Sequence, residues 1–219
     1  MINYPMNFHQ FICVISKELS EPLPGEAAQL KMASIRRLRE MLQDSSKDTA
    51  IKSSVLILLY PGNSEDEVFS VLIQRPSYEG VHGGQISLPG GKSEDHDPDI
   101  QATAIRETHE EIGIDEDDIT IIGRLSELYI PPSNFLVFPF VGYTLQKPIF
   151  HPNPQEVAEI VQISLNDLID EKNIKCREII IRYDLTINAP FFELEGKTIW
   201  GATAMILSEF REILIKISR

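Results

Sequence analysis

A mixed β-sheet covered by helices, in the α/β or α+β class, is the fold this sequence predicts, and three observations predict it. Short β-rich apolar runs recur from residue 51 onward, among them "IKSSVLILLY", "EVFSVLIQR", "FLVFPFVGYTL" and "EVAEIVQISL". Helical segments stand before, among and after those runs, at 34–43, 98–112 and 201–217, the first two with capping signals. The 219 residues, 42% apolar and 24% charged, suffice for one sizeable globular core. Periodicity alone leaves the strand order open.

The elements follow in order. Residues 8–19 alternate as a short amphipathic helix, and "EPLPGEAAQ" at 21–29 reads as a linker. "SIRRLREMLQ" at 34–43 is a helix capped by Ser34. Residues 1–50 thus form a helical extension that packs on a domain of residues 51–219 or makes a contact in a homodimer. The first two strands, separated by "PGNSEDE", form a hairpin-like pair. A glycine-rich loop, "EGVHGGQISLPGGKSEDHD", leads to a helix from Pro98 to about Ile112, with Asp97 as its N-cap and Pro98 at its first position. Gly113 closes that helix. Further strands follow at "DITIIGRLSELYI", "REIIIRYDL" and "PFFELEG", with a short helix capped by Ser164 in "SLNDLID". "GATAMILSEFREILIKI" is the last helix, and Phe191, Phe192 and Trp200 before it read as core.

Charge and composition exclude several function classes. A formal net charge of −13 argues against a surface built to neutralise nucleic-acid phosphates. Cys13 and Cys176, in the apolar contexts "FICVI" and "IKCREI", offer neither a disulfide framework nor zinc spacing, so a reducing cytoplasm is expected. The opening apolar run is too short and interrupted for a membrane span, and it lacks a basic flank. "HEEIG" begins like a zinc-protease helix but has Gly113 where the second histidine belongs. Walker-type phosphate loops and G-x-S-x-G elbows are missing.

The residues that demand an explanation are those of "RETHEEIGI". Glu107, Glu110 and Glu111 fall within an arc of about 100° on one helix face. Like charges at these spacings weaken a helix by a few tenths of a kcal/mol per pair. A hard divalent cation, Mg²⁺ or Mn²⁺, would offset that cost, since such ions take oxygen ligands from a few carboxylates, waters and phosphates. A solvated acidic face is the plain alternative. Two neighbours favour the cation: the glycines of "LPGGK", which allow close backbone approach, and Arg106, which can fork onto a carboxylate. Ile105, Thr108 and Ile112 occupy another face and are expected to pack on the sheet, leaving the carboxylates away from the core.

"GGKSEDHDPDIQATAIRETHEEIGI" resembles the Nudix box, with Arg106, Glu107, Glu110, Glu111, Gly113 and Ile114 in its positions. Thr108 stands where an aliphatic residue is usual, and the spacer from Gly91 to Arg106 is one residue longer than standard, with Asp97 replacing the early glutamate. The longer spacer is similar to the coenzyme A pyrophosphatase branch of Nudix hydrolases. So is "VLIQRPSYEGVHGGQISLPGG", where Arg75, Gly84 and the Pro-Gly-Gly fit, although Gly80 takes the place of a second arginine and Leu88 that of a phenylalanine. "YIPPSNFLVFPFVG", "NPQEVAEI" and "WGATA" are similar to this branch as well.

The resemblance implies an α/β/α sandwich, in which residues 51–219 form the Nudix domain, and hydrolysis of a nucleoside diphosphate derivative. For the branch in question the substrate would be CoA or acyl-CoA, cut to 3′,5′-ADP and 4′-phosphopantetheine or its acyl derivative. ADP-ribose, a dinucleotide or a nucleoside triphosphate are the alternatives, and a Nudix-like binding module without turnover is a third reading. Carried over by position, Glu107 and Glu111 would be the main Mg²⁺ or Mn²⁺ ligands, with Glu110 and the Gly90 carbonyl completing the shell. Arg106 would orient a glutamate, with Asp97 as its partner; the general base would be Glu107, Glu110 or Glu156. Arg75, Lys92 and Glu156 are candidates for contacts with substrate, and His82 reads as a loop-shaping residue. Partners other than a CoA-like small molecule or a second copy of the chain are not expected.

Overall fold

A computed structural model describes residues 7–41, 49–64, 67–76, 84–182 and 185–218. Gly80 and His82 of the glycine-rich loop lie outside the described residues. The chain order is α1 (Phe8–Leu19), α2 (Gly25–Gln29), α3 (Ile35–Met41), β1 (Ile51–Pro61), β2 (Val68–Gln74), β3 (Ile86–Ser87) and β4 (Gly90–Lys92). Then come α4 (Ile100–Ile112), β5 (Thr120–Arg124), β6 (Leu128–Ile130), β7 (Phe135–Tyr143), β8 (Glu159–Ser164) and α5 (Leu165–Ile169). β9 (Ile174–Arg182), β10 (Leu185–Leu194), β11 (Lys197–Ile199) and α6 (Gly201–Ile217) complete the chain.

The principal sheet is mixed, as expected. Its path runs β3-β2-β1-β7-β5, with β4 also on β1, β6 on β7 and β8 on β2; a smaller sheet runs β11-β10-β9. β1 and β2 form the expected antiparallel hairpin, with Tyr60 opposite Phe69. β1 pairs parallel with β7 over Ile51 to Leu59. Its run "VLILLY" is unbroken because both faces of the sheet are covered. Alternation then sorts the side chains. Leu56, Leu58 and Tyr60 join Val71, Ile73, Ala104, Ile112 and Phe140 on the α4 side. Ile57 and Leu59 join Phe11, Ile15, Leu72, Val141, Leu207 and Phe210 on the side of α1 and α6.

α6 is buried almost all round, which explains its near-continuous apolar sequence. Its two buried charges are tied down. Glu209 accepts hydrogen bonds from Gly25 N (3.1 Å), Gln29 Nε2 (2.9 Å) and Ser126 N (3.2 Å). Arg211 donates to the carbonyls of Leu168 (3.2 Å) and Ile169 (2.8 Å).

Four sequence expectations need correction. The supposed linker at 21–29 contains α2, with Ala28 and Gln29 buried, because Glu209 supplies partners for its backbone and side-chain donors. Helix α4 starts two residues late: Asp99, not Asp97, is its N-cap and accepts from Ala102 N at 2.8 Å. Asp97 is unavailable for capping because Arg106 and Thr103 hold its carboxylate. Cys13 and Cys176 are exposed rather than set among apolar groups. Trp200, read as core, is half-exposed and lines a cavity, whereas Phe191 and Phe192 are buried as expected. The amphipathic α1, the Ser34 and Ser164 caps and the left-handed Gly113 (φ 71°) stand as the sequence suggested.

Candidate active site

α4 lies across β1 and β4, and that contact determines what its carboxylates can do. Gly90 adopts φ 145°, and a Cβ there would come within 2.2 Å of the Ser54 carbonyl oxygen. Only glycine fits so close an approach to β1. The turn brings Gly90 N to 2.8 Å from Glu111 Oε2. Next to it, a Cβ on Gly91 would fall 2.4 Å from the Glu107 carboxylate, so the absence of a side chain makes room for an acid. Thr108, unusual at its position, is fully buried and donates its hydroxyl to the Ala104 carbonyl at 2.7 Å. Its polar atom is therefore satisfied within the helix.

The helix was expected to present its glutamates away from the core, and Glu111 does not conform. Its side chain is 1% exposed, covered by the β4 turn. Oε1 lies 3.1 Å from Arg75 Nη2 yet receives no well-directed hydrogen bond. Arg75 Nη2 donates instead to the Gly90 carbonyl, at 3.0 Å. Burial pushes the Glu111 carboxyl up to about 7; Arg75 and the Gly90 N–H oppose the rise, and Glu107 and Glu156 add to it. Burial also raises Glu107, against the pull of Arg106.

Arg106 organises a different set of contacts. It forks onto Asp97, with Nε 2.8 Å from Oδ1 and Nη2 3.1 Å from Oδ2. Nη1 reaches Glu107 at 3.0 Å and Glu110 at 2.8 Å, and Nη2 also donates to the Lys92 carbonyl at 3.2 Å. The guanidinium holds the Asp97 carboxyl well below the usual carboxylate range, and Asp97 in turn raises Arg106.

Among the described residues, Glu107, Glu111 and Glu156 can bring one oxygen each within 4.8 Å of one another. Glu110 is outside this group; its half-exposed carboxylate is held by Arg106. Glu156 comes from the segment between β7 and β8. That segment is stitched to the end of α4 by Asn153 N to the Glu111 carbonyl (2.9 Å) and His151 N to the Ile112 carbonyl (2.8 Å). Asn153 Nδ2 then donates to Glu156 Oε1 at 3.2 Å. Asn153 and His151 are the residues sequence reasoning missed. "HPNP" marks a turn, but nothing in it indicates which helix the turn meets.

The three carboxylates fit a hard divalent cation. They are oxygen donors from two segments, burial with some help from neighbouring carboxylates raises the protonation of Glu107 and Glu111, and one buried oxygen of Glu111 lacks a hydrogen bond. No helix among the described residues is long and apolar enough to cross a membrane.

A family model described as the NUDIX domain matches residues 50–183. The chain belongs to the Nudix family. It is 33% identical over 162 residues to Nudix hydrolase 22, chloroplastic, of Arabidopsis thaliana, a match covering 71% of this chain and 53% of the relative. It is 30% identical over 142 residues to the Nudix hydrolase NudL of Photorhabdus laumondii, covering 65% of this chain and 75% of that one. The chain thus spans about half the length of the plant Nudix hydrolase it matches. The crystal structure of the Mycobacterium smegmatis Nudix hydrolase RenU superposes with a TM-score of 0.53 at 16% identity, over 77% of this chain and 88% of that one. That likeness concerns the fold, a mixed sheet between helical layers.

Proposed function

We propose that this Nudix protein is a metal-dependent pyrophosphohydrolase that cleaves the diphosphate bond of CoA or acyl-CoA, releasing 3′,5′-ADP and 4′-phosphopantetheine or its acyl derivative. The observation that carries the reading is the convergence of Glu107, Glu111 and Glu156 beside the Gly90–Gly91 turn. CoA is favoured over other nucleoside diphosphate derivatives by the lengthened spacer and by Arg75 and Gly84 ahead of the Pro-Gly-Gly.

Mg²⁺ or Mn²⁺, held by the three glutamates, would neutralise phosphoryl oxygens and make a bound water more acidic. The protein's own residues do the rest. Glu111, buried and raised, would hold the cation in its deprotonated form, so that a proton would leave as metal binds. Arg75, engaged with Glu111 and the Gly90 carbonyl, holds the buried ligand against the turn. Arg106 orients Glu107 from a guanidinium anchored on Asp97. Glu107 and Glu156, both half-buried, are the members able to accept a proton from the attacking water. Glu110 tunes Arg106 from outside. Lys92, exposed at the end of the glycine turn, is free to meet a substrate phosphate. Two exposed, unbridged cysteines suit a reducing compartment such as the cytoplasm.

The test is incubation with CoA and Mg²⁺ or Mn²⁺, with chromatographic detection of 4′-phosphopantetheine and 3′,5′-ADP. Both products are expected above a Glu111→Gln control. No product with either metal, while ADP-ribose is turned over, would transfer the activity to that nucleotide.

A further inference from the structure

On the face of the sheet opposite α4 there is a cavity of about 620 Å³, within the size range of small-molecule sites. Its walls are mostly apolar, with Leu88, Leu128, Val137, Trp200, Met205 and Ile206 prominent. Its cationic groups include Arg75, just after β2, and Lys92, at the end of β4 next to the two glycines. Gly90 and Gly91 also line it, and these same glycines touch Glu111 and Glu107. The cavity and the carboxylates therefore meet at a stretch of backbone without side chains. Met32, in the N-terminal helical segment, Trp200, at the N-cap of α6, and Met205 and Ile206, in α6, lie beyond residues 50–183 that match the family.

We propose that this cavity receives a hydrocarbon chain carried by the substrate, and that its outer wall, made by residues beyond the family segment, sets how long a chain is accepted. The inference rests on the diphosphate-hydrolase reading, because the acyl group is what would reach the cavity while the diphosphate lies against the glycine turn. Cavity volume, apolar lining and continuity with the turn favour the acyl part of a small molecule over a polypeptide.

Trp200 is the one tryptophan in the chain and sits in the cavity wall, so it reports occupancy without turnover. Metal-free protein is titrated with 12-bromododecanoyl-CoA and with unacylated CoA while tryptophan emission is recorded. Saturable quenching by the brominated chain is expected, with none from CoA. Unbrominated acyl-CoAs should compete, each added methylene tightening binding about fourfold until the cavity is full. Ala202 is half-exposed on the wall, and Ala202→Phe should flatten the chain-length series. Affinity independent of chain length in the unmodified protein overturns the proposal. Absence of quenching in a protein that hydrolyses CoA with Mg²⁺ also overturns it and leaves the hydrolase reading intact. Quenching in a protein that hydrolyses no CoA derivative supports the hydrocarbon site and removes the CoA reading instead.

Discussion

Asp97 and Glu111 are carboxylates held against the same helix, with side chains 2% and 1% exposed, yet their environments push them in opposite directions. Asp97 accepts four hydrogen bonds, from Glu94 N, Thr103 Oγ1 and two nitrogens of Arg106, and its acidity is strengthened. Glu111 accepts one from Gly90 N, keeps an oxygen without any, faces two other glutamates, and rises to about 7. Burial dominates at Glu111, whereas at Asp97 the supply of donors outweighs it. A carboxylate completed by its own protein is a structural group. One left short beside two like charges is, on the proposed reading, a ligand for a cation.

The comparison breaks most visibly in Glu111→Gln. Turnover of CoA with Mg²⁺ should fall about a thousandfold, roughly 4 kcal/mol of transition-state stabilisation. Stability of the metal-free protein at pH 8 should stay within about 1 kcal/mol, because the charge removed was poorly compensated. Steady-state kinetics and urea unfolding on one preparation separate the two. Asp97→Ala should show the reverse pattern. Loss of Arg106's buried partner costs about 3 kcal/mol in urea unfolding, while turnover drops only about 10- to 100-fold through misoriented Glu107.

The two acids also carry opposite pH signatures. In the folded metal-free protein Glu111 keeps its proton up to about 7, against an ordinary 4.5, so the native state binds the extra proton between those values. Stability is therefore undiminished by this group below pH 4.5 and declines as pH rises through 7, by on the order of 3 kcal/mol. Asp97 contributes in the other sense: its stabilisation is present above its ordinary 3.8 and is lost as pH falls further. Urea unfolding from pH 4 to 8 should show the decline, and saturating Mg²⁺ should abolish it.

Smaller effects sharpen the contrast. Gly91→Ala would force the Glu107 carboxylate off its present position, weakening Mn²⁺ binding about tenfold with the fold retained. Glu110→Gln should change stability by less than about 0.5 kcal/mol, since its pair with Arg106 is half-exposed, and should leave Mn²⁺ affinity within about twofold. Calorimetric titration reads both.

Much of this arrangement was legible beforehand because local rules govern it. Helical spacing grouped the glutamates, Gly113 marked the helix end, and β-rich runs interleaved with helices announced a mixed sheet covered by helices. What escaped were facts made by distant contacts. A helical wheel gives the direction of Glu111 but not its depth, which depends on the β4 turn closing over it. Asp97 and Asp99 are equally good caps on paper, and only the reach of Arg106 decides between them. Glu156 enters the acidic group through Asn153 and the end of α4, a meeting that no short motif encodes. The segment at 21–29 reads as a linker until Glu209, far along the chain, offers an acceptor for its donors.

The central claim is that Glu111, with Glu107 and Glu156, takes up a divalent cation and releases a proton in doing so. Titration calorimetry with Mn²⁺ at pH 6.5, in two buffers of different ionisation enthalpy, tests it directly. Binding should be accompanied by proton release that disappears in Glu111→Gln, while Glu110→Gln binds Mn²⁺ as the unmodified protein does. Unchanged Mn²⁺ affinity in Glu111→Gln, or loss of binding in Glu110→Gln alone, would contradict the account.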